Sequence, residues 1–184
     1  MELDEMIEGL KREDSNAMEQ FYSCYGPLIK GICFRYAQDR EQAEDMFHDT
    51  LIELFEKVKK YRSTGSFNRW LKTVTVRTLI DHINKSKRAR QKLEESANAY
   101  YENLADEPAR LDLSKLALSP EELITAISRL PRGFRIVFNL YVIDGYAHKD
   151  IAGMLKISES ASRSQLARAK IALRKVIEEK MKTD

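Results

Sequence analysis

The 184-residue sequence has few of the residues that interrupt or cross-link regular structure: 7 glycines, 4 prolines and 2 cysteines. Glycine and proline are scarce and no segment has the pattern of a strand, so the chain is predicted to be helical throughout. Cys24 and Cys33 fall among apolar residues of one predicted helix, which is not the arrangement of a CxxC pair or a disulfide framework. We therefore expect a protein that works in a reducing cytoplasm.

Long apolar runs and catalytic motifs are also missing. No segment approaches the roughly 18 apolar residues that a membrane-spanning helix needs, and the N-terminus does not resemble a signal peptide. His48, His82 and His148 are widely separated and lack the spacing of metal ligands. The sequence contains no glycine-rich phosphate loop and no nucleophile motif. We expect a soluble protein with no metal, no cofactor and no enzymatic activity.

Apolar residues recur at spacings of three and four, as in Phe21, Leu28 and Ile32, and this periodicity predicts amphipathic helices. The predicted helices lie near residues 4–11, 15–37, 40–60, 67–88, 121–129, 132–143, 148–155 and 159–180. Ser66 and Ser158 each stand where a side chain caps the helix that follows. The predicted fold class is all-α.

Two small helical domains joined by a linker are expected from the length and from a change in composition along the chain. The first domain is predicted to span residues 1–90. The linker, residues 91–119, is acidic, and in it the apolar periodicity fades. Pro108 lies within this linker and Pro120 directly follows it. The second domain, residues 120–184, is predicted to contain a helix-turn-helix.

The net charge of +2 conceals a strong segregation of charge within the first domain. Residues 35–56 carry seven acids against two bases, Arg35 and Arg40. Residues 57–90 carry eleven bases against one acid, Asp81. The basic stretch is therefore suited to phosphates, whereas the neighbouring acidic stretch is not.

Residues 147–173 have the helix, tight turn and helix of a DNA-reading unit. The residues that fall where such a unit hides its core are Ile151, Leu155, Ile157, Leu166 and Leu173. In the second helix, Arg163 is placed to contact base edges, and Arg168 lies further along, nearer the phosphate backbone. The hydroxyls placed to contact bases or phosphates are those of Ser160, Ser162 and Ser164. A basic amphipathic helix in an ordinary bundle would share part of this pattern.

Residues 67–82 combine aromatic side chains with basic ones. Such a mixture suits bases that stack outside a duplex while their phosphates are held electrostatically. Phe67 and Trp70, however, also fit a buried stripe with Leu71 and Val74. We expect mainly core roles for the two aromatic side chains, and we assign nucleic-acid contact to the preceding loop and to exposed polar side chains.

The order of these parts resembles one family, the bacterial RNA polymerase sigma factors of the extracytoplasmic-function (ECF) type in the sigma-70 superfamily. The resemblance covers residues 15–178 and rests on four motifs. These are residues 39–55 (DREQAEDMFHDTLIELF), 65–71 (GSFNRWL, followed by Ile80 and Asp81), 130–140 (LPRGFRIVFNL) and 157–169 (ISESASRSQLARA). Several motifs in the right order are far more specific than a single helix-turn-helix.

The resemblance implies a transcription initiation factor that binds core RNA polymerase, recognises promoter DNA at the −10 and −35 elements and helps to melt it. The residues implied in polymerase binding, on the clamp coiled coil of the largest subunit, are Asp45, Asp49 and Glu53. The residues implied at the −10 element are Tyr61, Arg62, Ser63, Lys72, Arg77, Lys85 and Arg88. The residues implied at the −35 element are Ser160, Ser162, Arg163, Ser164 and Arg168.

The resemblance also implies that the acidic linker runs near the RNA exit path, and that an anti-sigma factor is a plausible further partner. The chain departs from the family at Arg77, where many members have asparagine, and at Ser160, where glycine is common; both departures concern base preference. Two alternatives stay open. One is a dimeric helix-turn-helix repressor or activator that acts without polymerase, and the other is a helical enzyme or RNA-binding protein.

Overall fold

The computed structural model describes residues 2–62, 65–86 and 119–181. Every regular element in these ranges is a helix, which confirms the predicted all-α fold class. The helices are α1 (Leu3–Lys11), α2 (Ser15–Tyr36), α3 (Arg40–Val58), α4 (Phe67–Ser86), α5 (Pro120–Ser128), α6 (Arg132–Phe138), α7 (His148–Leu155) and α8 (Glu159–Met181). A π-helical turn, Asn139–Ile143, continues α6.

The chain divides into two compact units, residues 1–83 and 84–184. The predicted linker, residues 91–119, lies outside the described residues except for Ser119. The predicted domain boundaries at residues 90 and 120 therefore stay predictions, and each unit is described by itself.

The first unit contains α1 to α3 and nearly all of α4. α1 approaches α2 closely at Gly9, where an added Cβ would lie 2.6 Å from the Cβ of Ala17. α2 and α3 begin at aspartate caps: the Asp14 and Asp39 carboxylates accept hydrogen bonds from the backbone N–H groups of Ala17 and Gln42 at 2.9 and 2.8 Å. The largest fully buried side chains are those of Leu10, Phe21, Ile29, Tyr36, Met46, Leu54, Leu71, Leu79 and Ile83. This core fixes which faces of α3 and α4 meet solvent.

The second unit contains α5 to α8. A capping box formed by Ser119 and Glu122 begins α5. Arg135 of α6 is buried, and its guanidinium donates a hydrogen bond to the Ser128 carbonyl at the end of α5 at 3.0 Å. Burial, together with the nearby Arg132, lowers the pKa of Arg135 to about 10, so the side chain remains charged at neutral pH. A cation is thereby placed at the carbonyl end of α5, where the helix dipole favours it.

A tight backbone turn lies at each end of α7, the first helix of the helix-turn-helix. Gly145 has a φ of +76°, which supplies the turn predicted at residues 144–145. Lys156 ends α7 in the left-handed region with a φ of +56°, and the backbone N–H of Ile157 then bonds to the Ala152 carbonyl at 3.1 Å. The Ser158 hydroxyl accepts a hydrogen bond from the Ala161 N–H at 3.0 Å, so the predicted cap of α8 is confirmed. The predicted core residues Ile151, Leu155, Leu166 and Leu173 are buried, whereas Ile157 is half-buried.

Candidate nucleic-acid interface

The first turns of α8 present one cation to solvent. Arg163 is 63% exposed in its side chain and forms an ion pair with Glu159, one helical turn earlier. Glu159 lies in the first turn of α8, where the helix dipole favours a carboxylate. Ser160 is exposed, and its hydroxyl lies 2.9 Å from that of the capping Ser158. Arg163 is therefore exposed as predicted, and its guanidinium is oriented by Glu159.

Ser162 is a correction to the predicted DNA contacts. The side chain is fully buried, and its hydroxyl lies 2.9 Å from Nδ1 of His148, the first residue of α7. The prediction was wrong because position 162 belongs to the buried stripe of α8 that continues through Leu166 and Ala169. That spacing of four and three residues was visible in the sequence. Ser162 therefore joins the two helices of the helix-turn-helix and has no exposed surface.

His148 completes this internal contact. Its ring stacks on that of Tyr141, with the ring centroids 4.3 Å apart. Burial lowers the pKa of His148, as do the positive charges of Arg163 and Lys170, while Glu159 acts in the opposite direction. The neutral imidazole is thus favoured at the point where α7 meets the start of α8. No role for Tyr141 in this unit was predicted from the sequence.

The other two predicted side chains of α8 are less exposed than Arg163. Ser164 and Arg168 are both half-buried. They lie one and five residues beyond Arg163, which places them about 100° and 140° around the helix from it. Arg163 and Ser160 are therefore the most accessible of the predicted contacts on this helix.

A cavity of about 450 Å³ opens beside the loop between α3 and α4. Its walls combine cationic, aromatic and hydroxyl side chains. The lining residues are Lys60, Tyr61, Arg62, Gly65, Ser66, Arg69, Trp70 and Thr73. Ser66 begins α4 by accepting a hydrogen bond from the Arg69 N–H at 3.4 Å, as predicted. A cavity of this size lies within the usual range for small-molecule sites, and its lining can stack one ring and hold its phosphate.

Tyr61 is a second correction, because it is 8% exposed and its hydroxyl is already engaged. The hydroxyl donates a hydrogen bond to the Gly65 carbonyl at 3.0 Å. Its ring lies 4.8 Å from that of Trp70 and 5.4 Å from that of Phe67, measured between centroids. Tyr61 therefore supports the cavity from inside and is not an exposed DNA contact. Phe67 is buried as predicted, whereas Trp70 is only half-buried and lines the cavity.

The remaining residues predicted for the −10 element fall into two groups. Those exposed on α4 or in the loop before it are Arg62, Lys72, Arg77 and Lys85. Ser63 and Arg88 lie outside the described residues. The prediction missed Lys60, Arg69 and Thr73, which line the cavity. Arg69 and Thr73 are one turn apart on α4, and this spacing beside Trp70 was the signal available in the sequence.

The acidic face of α3, defined by Glu41, Asp45, Asp49, Glu53 and Glu56, is exposed along its length. Three of these carboxylates have basic partners. Asp49 lies 3.1 Å from Nδ1 of His82 on α4, Glu53 lies 2.8 Å from Nζ of Lys57, and Glu56 lies 3.3 Å from Nζ of Lys59. Asp45 has no partner within the described ranges. The three residues predicted to bind polymerase are therefore all accessible to a second molecule.

The described part of the chain offers little other chemistry. None of its helices is both long enough and apolar enough to cross a membrane. It holds no group of three or more His, Cys, Asp and Glu side chains placed to bind a metal ion. Cys24 and Cys33 are free thiols, and burial raises the pKa of Cys33 to about 12. Cys33 is therefore not a reactive thiolate at neutral pH.

Comparison with protein families gives two matches that lie one in each half of the chain. The sequence model for Sigma-70 region 2 matches residues 21–89, and the model for Sigma-70, region 4 matches residues 121–173. Together they cover about two thirds of the chain. The first match includes α3 and α4, and the second includes the helix-turn-helix.

Individual proteins are similar over nearly the whole chain. The RNA polymerase sigma-H factor of Pseudomonas aeruginosa is 23% identical over 95% of this chain and 93% of its own length. The ECF RNA polymerase sigma factor SigW of Bacillus subtilis is 25% identical over 95% and 96%. Among solved structures, the sigma factor RpoE in complex with the anti-sigma factor NepR, from Bartonella quintana, has a similar fold. Its TM-score is 0.52 at 18% identity, over 87% of this chain and 96% of that one.

Proposed function

This chain belongs to the sigma-70 family of RNA polymerase sigma factors, and we propose which of its surfaces contact polymerase, the −10 element and the −35 element. It is a sigma factor of the ECF type, which binds core RNA polymerase and directs it to promoters. Region 2 acts at the −10 element and region 4 at the −35 element, and both regions are present. We propose which residues carry out polymerase binding and recognition of the two promoter elements.

At the −35 element, Arg163 reads a base edge in the major groove. The observation that carries this proposal is its place on α8: it is exposed, one turn from the helix start, with a guanidinium already oriented by Glu159. An arginine in that position bonds bidentately to guanine O6 and N7. Ser160, Ser164 and Arg168 lie around the helix to one side of Arg163 and supply contacts to phosphates or adjacent bases.

At the −10 element, the cavity beside the α3–α4 loop takes one unstacked base. Trp70 provides a partly exposed ring for stacking, and this ring packs against the buried rings of Tyr61 and Phe67. Arg69 and Lys60 at the cavity hold the flanking phosphates. The exposed cations further along α4, Lys72, Arg77 and Lys85, then follow the displaced strand.

Polymerase binds the acidic face of α3, through Asp45, Asp49 and Glu53. All three carboxylates are exposed, and they stand on a helix separate from the cations of α4. The two surfaces can therefore engage a basic protein and an acidic polymer at the same time. We further propose that the protein acts in the cytoplasm, that it has no catalytic activity of its own, and that an anti-sigma factor restrains it.

Run-off transcription tests the function as a whole. Purified core RNA polymerase is incubated with genomic DNA fragments, with and without this protein, and the transcripts are resolved by length. New discrete transcripts that require the protein are expected, and alignment of their start sites gives the promoter elements. If no transcript appears and the protein does not co-migrate with polymerase, a dimeric helix-turn-helix regulator becomes the better reading.

A further inference from the structure

One exposed apolar side chain lies on the acidic face of α3. Ile52 is 64% exposed, which makes it the most exposed of the large hydrophobic side chains that the structure describes. Isolated exposed aliphatic residues are ordinary on protein surfaces and need no explanation. Ile52 differs because of its immediate surroundings.

Helical geometry places Ile52 among carboxylates. With 3.6 residues per turn, Asp45 projects within about 20° of Ile52, Glu56 within about 40° and Asp49 within about 60°. All of them are exposed, as is His48 on the same side. These acids thus lie on the same side of α3 as Ile52, with Asp49 and Glu56 about one turn away along the helix and Asp45 about two turns away.

The folded chain itself gains little from an isoleucine at this position. Its side chain is largely in water, so it contributes little to the core. A β-branched residue is also a weaker helix former than alanine, and solvent-exposed sites leave that preference uncompensated. The arrangement instead has the form of an interface hot spot, in which an apolar anchor is enclosed by polar groups that exclude water once a partner is bound.

We propose that Ile52 is the apolar anchor through which α3 binds core RNA polymerase, a role that rests on the proposed docking of this face. The charge of the neighbouring acids specifies the chemistry of the polymerase surface that binds here: a basic surface with an apolar gap between its cations. The side chain fills the gap while Asp45 and Asp49 meet the cations. His82 is a positioning residue in this arrangement, because it holds the Asp49 carboxylate 3.1 Å from its ring.

The affinity of the full chain for core polymerase, measured by competition at several salt concentrations, tests the proposal. Ile52→Ala is expected to weaken binding by roughly ten-fold to thirty-fold, as hot-spot truncations do. The factor should be nearly the same at each salt concentration, because it reflects lost apolar contact. Asp45→Asn should instead lose most affinity at low salt and flatten the salt dependence. Ile52→Leu, which keeps the volume, should retain most of the affinity.

Leu28→Ala is the matched control, since Leu28 is an exposed aliphatic residue on the neighbouring helix α2. Thermal melting should show that Ile52→Ala is at least as stable as the unchanged chain, because alanine favours the helix. Unchanged affinity of Ile52→Ala, or an equal loss in Leu28→Ala, would overturn the anchor while leaving the proposed function intact. Failure of the unchanged chain to bind polymerase would overturn both.

Discussion

Arg163 and Arg174 offer a matched pair of residues on α8. Each arginine forms an i,i+4 ion pair with a glutamate, Glu159 before Arg163 and Glu178 after Arg174, and the four side chains are exposed to similar extents. Exposed pairs of this kind contribute little to stability. The two arginines differ in position, because Arg163 lies near the start of α8, the part of a recognition helix that enters the major groove.

Arg163→Ala should therefore cost about 1–3 kcal/mol of binding free energy at the preferred −35 sequence and relax selectivity at one base pair. The measurement is run-off transcription, or polymerase-dependent promoter binding, on templates in which each −35 base pair is varied. Arg174→Ala should leave the base preference unchanged. An equal loss on every template in Arg163→Ala would identify a phosphate contact in place of base readout.

Of the close approaches at glycines, the one between α1 and α2 at Gly9 is the tightest. A Cβ at Gly9 would lie 2.6 Å from the Cβ of Ala17, which is closer than two non-bonded carbon atoms can approach. Ala17 is fully buried, so it cannot move aside. Gly31, in the interior of α2, has no atom within 4 Å of the corresponding position.

The two glycines should respond oppositely to alanine. Gly9→Ala should destabilise the protein by about 1–3 kcal/mol, because α1 must move away from α2. Gly31→Ala should stabilise it by about 0.5–1 kcal/mol, since alanine is the better helix former. Denaturant unfolding followed by circular dichroism measures both. A stable Gly9→Ala variant would mean that α1 does not pack on α2 as described.

Helix boundaries could be predicted from the sequence because local signals set them. Aspartate and serine caps begin α2, α3, α5 and α8, and the scarcity of glycine and proline leaves few other places for a break. The π-helical turn Asn139–Ile143 was not predicted, because its backbone bonds depend on tertiary packing and not on local propensity. Exposed charges such as Arg163, Asp45 and Asp49 were located correctly for the same reason that helices were: periodicity alone assigns them to the solvent face.

Tyr61 and Ser162 were predicted to be accessible, and both are buried. Each is a polar residue in a segment rich in nucleic-acid signals, and each is buried with its hydroxyl paired inside the protein, to the Gly65 carbonyl or to His148. A hydroxyl satisfied internally costs little to bury. Periodicity assigns Ser162 to the buried stripe of α8, but the sequence does not show that its hydroxyl has an internal partner, because His148 is fourteen residues away and meets it only across the helix-turn-helix.

At the scale of the whole molecule, the net charge of +2 shows that the basic and acidic residues nearly cancel. The cations of α4 and α8 attract DNA, whereas the acidic face of α3 repels it, so the free chain has little overall attraction for phosphates. The proposed binding of α3 to a basic surface of polymerase would remove that repulsion. Core polymerase should therefore raise the affinity of this chain for DNA as well as carry it to the promoter.

The free protein should accordingly bind promoter duplexes only weakly, with dissociation constants of about 10⁻⁶ M or higher at physiological salt, the range of non-specific binding. With core polymerase present, the same DNA should be bound specifically, with dissociation constants of about 10⁻⁸ M or lower. Electrophoretic mobility shifts on a promoter and on a scrambled duplex of equal length measure the difference. Nanomolar, sequence-selective binding by the chain alone would contradict the balance of charges argued above, because a surface that recognises duplex DNA unaided has no need of polymerase to neutralise its acidic helix.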